Sequence, residues 1–263
     1  MSEAGPPLTP ARIRRHQRSA LAISRRQIAR QVRLLRRVWL TLEKSGDLGD
    51  QGKYPFAYAL LASKCVSHAD SVSALTDIGR YGDAFVILRV LLSETLMARY
   101  LLEFPSEVVP WLTYAKERPS ATKAERLRLQ RRFADSRIRK RLLQRGLNVD
   151  ANARAFAMLS EPAHASSWGI MFYAKRDLRG KFTLVLDGYL DAARGVELAQ
   201  FMMIRLSDIL NTFSLWAQQQ GVPRMLRLSK RFLALHEDLE RTHGVIHQLL
   251  DKEYARLSDT GGL

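Results

Sequence analysis

The chain has 263 residues, 46% of them apolar, with 42 Lys and Arg against 26 Asp and Glu, a net charge of +16 and a pI of about 10.4. That size and apolar content are enough to bury a core in one large domain or two small ones. The basic excess points to phosphate-rich partners or an anionic surface, and excludes an acidic, solvating chain; because arginine far outnumbers lysine, part of the excess is compositional.

Other classes are excluded by what the chain lacks. Cys65 is the only cysteine, so an intramolecular disulfide is impossible, and a buried thiol in a reducing, cytoplasmic setting is the expectation. The longest apolar stretch, Phe201 to Trp216, is interrupted by Arg205 and Asp208, so no transmembrane segment is expected. The sequence has no phosphate-cradling glycine loop, dinucleotide fingerprint, Cys-x-x-Cys or His-Glu-x-x-His pattern. Nucleotide hydrolysis and the usual zinc chemistries therefore have no support, and no cofactor is implied.

In chain order, residues 1–10 read as a disordered leader rich in proline. Residues 11–52 read as a basic helix and a loop. Leu21, Ile28, Val32, Leu35, Trp39 and Leu42 form one apolar seam at bundle spacing, and Arg14, Arg15, Arg18, Arg25, Arg26, Arg30, Arg33, Arg36 and Arg37 cover the other faces. Residues 53–263 read as the helical bundle. A hairpin from Phe56 to Phe104 turns at Gly79-Arg80-Tyr81-Gly82, and its second helix, Asp83 to Glu103, is apolar nearly all round. Arg89 and Glu94 interrupt its apolar stripes, so each needs a partner.

A short helix over Ser106–Lys116 is followed by a second basic helix, capped by Ser120 and closed by Gly146. It carries Arg126, Arg128, Arg131, Arg132, Arg137, Arg139, Lys140, Arg141 and Arg145. Asn152–Leu159 reads as helical, Ala163–Ala174 is ambiguous, and the β-like run Phe182–Leu186 reads as an extended connector, because one strand cannot make a sheet. Two long helices, Tyr189–Gln220 and Pro223–Leu257, complete an all-α bundle with long terminal helices, through which we expect a homodimer.

Three clusters carry a family resemblance: Ser67-His68-Ala69-Asp70-Ser71, Gly82-Asp83-Ala84 with Leu88-Arg89-Val90-Leu91-Leu92-Ser93-Glu94, and Leu159-Ser160-Glu161-Pro162-Ala163-His164-Ala165-Ser166. Together, over about Tyr54–Tyr173, they resemble the DUF5677-like bacterial helical proteins. The resemblance implies an all-helical fold with Arg89, Glu94, Ser160 and His164 at family-pattern positions, and it brings no activity with it. A looser similarity is to HEPN-type helical domains, many of them metal-independent ribonucleases of toxin and defence systems with an Arg-x4-6-His signature. Arg231…His236 and Arg241…His247 fit that spacing, but a chain with this much arginine reaches about two such matches by chance, so they carry no weight.

If the helices bearing Arg89, Glu94, Ser160 and His164 meet, His164 is the candidate acid/base, Glu94 its orienter and Arg89 an anion holder. A purely structural polar network is the competing explanation. A di-metal site is a third, built from Glu94, Glu161-x-x-His164, Glu197 and Glu240-x-x-His243, although Pro162 interrupts the first pair. His236, Glu240, His243 and His247 share one stripe of the last helix, most simply a hydrated boundary face. For nucleic acid, RNA above all, the expected phosphate contacts are Arg14, Arg18, Arg25, Arg126, Arg131, Arg132, Arg139 and Lys140. An acidic protein partner for a non-catalytic module is the alternative.

Overall fold

The computed structural model describes residues 10–44, 53–117, 122–147, 149, 157, 174–176, 182–184, 192–220, 226–235, 237–238, 240–241 and 244–245. The helices are α1 (Pro10–Glu43), α2 (Lys53–Asp77), α3 (Tyr81–Glu103), α4 (Val108–Glu117) after a 3-10 turn at Pro105–Glu107, α5 (Lys123–Arg132), α6 (Asp135–Gln144), α7 (Ala192–Gln220) and α8 (226–235). The expected all-α fold is what the chain adopts. One departure among the described residues corrects the connector reading of Phe182–Leu186: Phe182–Leu184 pairs antiparallel with Ala174–Arg176, Ala174 opposite Leu184 and Arg176 opposite Phe182. The partner strand, Ala-Lys-Arg, has no β-branched or aromatic residue, which is why pattern alone misses it.

Helices α1, α2, α3 and α7 form a four-helix ring, each packed on the next, with α1 closing onto α7. Arg25 meets Asp77 and Arg36 meets Asp70, so α1 and α2 run antiparallel. Leu21 lies against Gly195, and Gln31 against Met203 and Ser207, so α1 and α7 run parallel. A β-carbon at Gly195 would sit 3.1 Å from Leu21, so the missing side chain is what lets these helices approach. Parallel neighbours need a long crossover, and the chain between α3 and α7, with α4–α6 and the ribbon, supplies it.

The core confirms α3 as the buried centre. Phe85, Leu88, Leu91, Leu92, Ala98 and Tyr100 are wholly inaccessible, and Leu101 nearly so. On α1 the expected seam is buried at Ile28, Val32, Leu35 and Leu42, with Leu21 and Trp39 packed at its edge. A second seam, Ala20, Ser24, Gln27, Gln31, Leu34 and Val38, is buried too. Its upper half is polar, so hydropathy does not betray it. Gln31 Nε2 donates to the Met203 carbonyl and to Ser207 Oγ of α7, both at 2.9 Å, while its buried Oε1 meets no donor among the described residues. Farther along, Leu34 and Val38 meet Leu210 and Phe213 of α7 and Leu228 and Phe232 of α8. Part of the apolar surface of the terminal helices is thus used within one chain.

The basic segment after α4 is two helices rather than one. Thr122, not Ser120, is the cap: Glu125 N donates to Thr122 Oγ1 at 3.3 Å, and Thr122 N donates to Glu125 Oε2 at 2.9 Å. The helix breaks at Phe133-Ala134, where Phe133 turns inward and α6 starts a new direction that buries Ile138 and Leu142 against the body. Gly146 ends α6 as expected. At φ +76° it lets Gly146 N donate to the Leu143 carbonyl and Leu147 N to the Leu142 carbonyl, a Schellman closure that a side chain would strain.

Candidate functional site

Two polar centres flank α3. The first lies between α2 and α3. Glu94 is 7% exposed and receives His68 Nδ1 at 2.8 Å, with the Cys65 thiol 3.8 Å from the same oxygen. Cys65 and His68 are three residues apart on α2 and so share one face toward Glu94. An ionised carboxylate only accepts, so with Glu94 ionised the shared proton of this hydrogen bond belongs to His68 Nδ1. Burial first, and then the neighbouring Glu94, push the Cys65 thiol well above its usual range, so it is no nucleophile. His68 keeps about a quarter of its side chain exposed.

The expected partners of Glu94 fare differently. Arg89 sits half-buried on α3, five residues before Glu94, its carbonyl 3.3 Å from Ser93 Oγ. Ser160 and His164 lie outside the described residues. The structure therefore gives Glu94 a histidine, but from α2. His68 was present in the sequence cluster as a family-pattern neighbour; what concealed it was that nothing in its spacing to Glu94, 26 residues away across a turn, marks the pair.

The second centre is Glu107, in the 3-10 turn after α3. It is 7% exposed and accepts Arg132 Nε and Arg141 Nη1, both at 2.8 Å. Arg141 also donates to the Tyr100 hydroxyl and stacks 4.1 Å above the Phe104 ring, while Arg145 lies 5.2 Å from the same ring. Burial raises the Glu107 carboxyl, but the two arginine hydrogen bonds outweigh it and hold the group below its ordinary value. Glu107 thereby docks the end of α5 and the whole of α6 onto α3. Asp135 adds a second tether, accepting from Ser93 Oγ of α3 at 3.0 Å.

Of the basic segment this anchor docks, α6 packs on α3, whereas α5 buries no side chain. Between Thr122 and Leu147 there are ten basic and two acidic residues, a net eight of the chain's +16. No side chain of α5 is buried. Lys123, Arg126, Arg128, Arg131, Arg137 and Lys140 are exposed, and Arg139 is half-buried. Arg132, expected among the phosphate contacts, is instead committed to Glu107. On α1, Arg18 is exposed, but Arg25, Arg30 and Arg36 pair with Asp77, Asp238 and Asp70. The Arg14 side chain lies outside the described residues.

For the di-metal arrangement, Glu94 is buried against α2, whereas Glu197 and Glu240 are exposed on α7 and beyond α8. Glu161, His164 and His243, together with His236 and His247, lie outside the described residues. Among the described residues no three His, Cys, Asp or Glu side chains gather as a metal site, and no helix is long and apolar enough to cross a membrane. The chain matches no protein-family model, no curated protein and no solved structure.

Proposed function

We propose that this protein is a nucleic-acid-binding helical bundle, RNA its preferred partner, with the α5–α6 hairpin following the phosphate backbone. The observation that carries this is a helix, α5, that buries none of its side chains and exposes four basic ones. A short helix gains most of its stability from packing, and α5, which packs Leu129 at the edge of the core and ties Arg132 to Glu107, leaves its other bases for a partner to balance. The exposed bases of α5 and α6 repel one another until counterions or phosphates neutralise them. Helix geometry puts Arg128 and Arg131, three residues apart, on one face of α5, an exposed helix rather than a groove, and this favours contacts to the phosphate backbone.

The test is anisotropy of a labelled single-stranded RNA across salt concentrations. With Lys123, Arg126, Arg128, Arg131, Arg137 and Lys140 each engaging one phosphate, affinity falls by about two to three orders of magnitude between about 50 and 200 mM salt. Affinity that stays flat across that range sinks the reading and leaves an acidic protein surface as the partner. Strand cleavage is a second reading, resting on the Glu94–His68 pair together with Arg89, Ser160 and His164. It predicts metal-free cleavage in EDTA that is lost in His164→Ala or His68→Ala; RNA left intact by the unmodified protein removes it.

A further inference from the structure

Away from both centres, a cleft of about 350 Å³ opens between α1, α2 and α7. It lies within the size range of small-molecule sites, about 300–1,000 Å³. Ile28 and Val32 of α1, Val72 of α2 and Met202 of α7 line its apolar depth. It exists because the facing positions Ala29, Ser73 and Ala199 are small where larger residues would have filled it. Its rim is charged. Arg25–Asp77 at 2.5 Å and Arg36–Asp70 at 2.6 Å bridge α1 to α2. The two arginines stand eleven residues apart, about 16 Å along the helix axis.

Between them Arg33 also lines the cleft, exposed and without an ion pair to any described residue. The polar groups alongside it cannot compete for the role of donor. Ser73 Oγ donates to the Ala69 carbonyl at 2.9 Å and Thr76 Oγ1 to the Val72 carbonyl at 2.7 Å, so both hydroxyls offer lone pairs only. The cleft therefore combines an apolar floor, one uncommitted cation and two neutralised pairs. We propose that it binds a compact amphipathic monoanion, an apolar body with one carboxylate or sulfonate head, the body lying on Ile28, Val32 and Met202 and the head taken by the Arg33 guanidinium. A single cation unpaired among the described residues matches a single charge rather than a diphosphate, and a concave floor of this size takes one molecule rather than a membrane.

Anilinonaphthalene sulfonate is such a molecule and reports its own burial by fluorescence. The full-length protein is expected to bind one equivalent, and decanoate to displace it. Arg33→Ala weakens the dye about tenfold, by loss of a charge-assisted hydrogen bond. Phenylnaphthylamine, which has the rings without the sulfonate, binds no differently to Arg33→Ala and to the unmodified protein. Ser73→Leu fills the cleft and abolishes binding, and Ala29→Leu does the same from the opposite wall should the first variant fail to fold. Arg126→Glu with Arg131→Glu leaves the dye bound as before, separating the cleft from the basic hairpin. Dye binding that survives either filling variant in a cooperatively folded protein overturns the proposal. So does equal sensitivity of the charged and neutral dyes to Arg33→Ala.

Discussion

Two arginine-rich segments of this chain look alike as sequence and differ as structure. Helix α1 has ten arginines and a single acid, Glu43, yet three of its bases are drawn into the bundle: acids from α2 and from beyond α8 pair with Arg25, Arg30 and Arg36, and two seams bury its inner face, while Arg15, Arg18, Arg26, Arg33 and Arg37 stay exposed. The α5–α6 segment is held through Glu107, Asp135, Ile138 and Leu142, and leaves Lys123, Arg126, Arg128, Arg131, Arg137 and Lys140 exposed. Similar charge density thus serves pairing between long helices at three positions of α1, and between Glu107 and two arginines in the other segment, where six bases stay exposed. Composition alone cannot distinguish the two, because neutralising partners come from distant parts of the chain.

Variants that treat the two segments alike should separate them. The largest effect is expected from Arg126→Glu with Arg131→Glu, which should weaken RNA binding by about a hundredfold and flatten the salt slope by about one to two units. Unfolding should be unchanged, because neither side chain touches the body. The matching change on α1, Arg25→Glu with Arg36→Glu, should instead place acids against Asp77 and Asp70 and lower the urea midpoint, with a smaller change in RNA affinity. Equal losses of affinity from the two pairs would erase the distinction.

Next in size is the anchor. Glu107→Gln leaves two guanidiniums against Tyr100 and Phe104 without their carboxylate, at a cost of about 1–3 kcal/mol in urea unfolding at neutral pH. The guanidiniums reach solvent, which favours the low end. The same carboxylate predicts acid behaviour. Its folded value lies below the ordinary glutamate value of about 4.3, so its contribution is complete above that pH and is lost as pH falls through the folded value. Asp238, held low by the Arg30 hydrogen bond first, moves in the same direction. The acid slope of stability should therefore be shallower in Glu107→Gln; an unchanged slope would show that Glu107 is not the group responsible.

Smaller still, Gln31→Met removes the amide bridge from α1 to α7 and should cost about 1 kcal/mol in global stability. Thr122→Ala should be smallest of all. It removes the α5 cap, worth about 1 kcal/mol locally, from a helix that buries nothing. The global midpoint should hold while amide exchange in α5 speeds up. A drop in the midpoint as large as that of Gln31→Met would mean α5 is packed after all.

The sequence by itself determined the helical class, because periods of three and four persist through α1, α3 and α7 whatever they pack against. It determined that α3 is buried and that Glu94 requires a partner, since hydropathy all round the helix leaves a charge no solvent face. It also placed the Gly146 closure, a matter of backbone conformation in adjacent residues. Only the tertiary structure decided that the partner of Glu94 is His68, that Glu107 gathers Arg132 and Arg141, that the basic helix breaks at Phe133, and that Gln27 and Gln31 face inward. The physical reason is common to all of these. Helix formation and burial follow from side chains a few positions apart, whereas the pairing of charges depends on which surfaces meet, and that is settled by the packing of the whole ring.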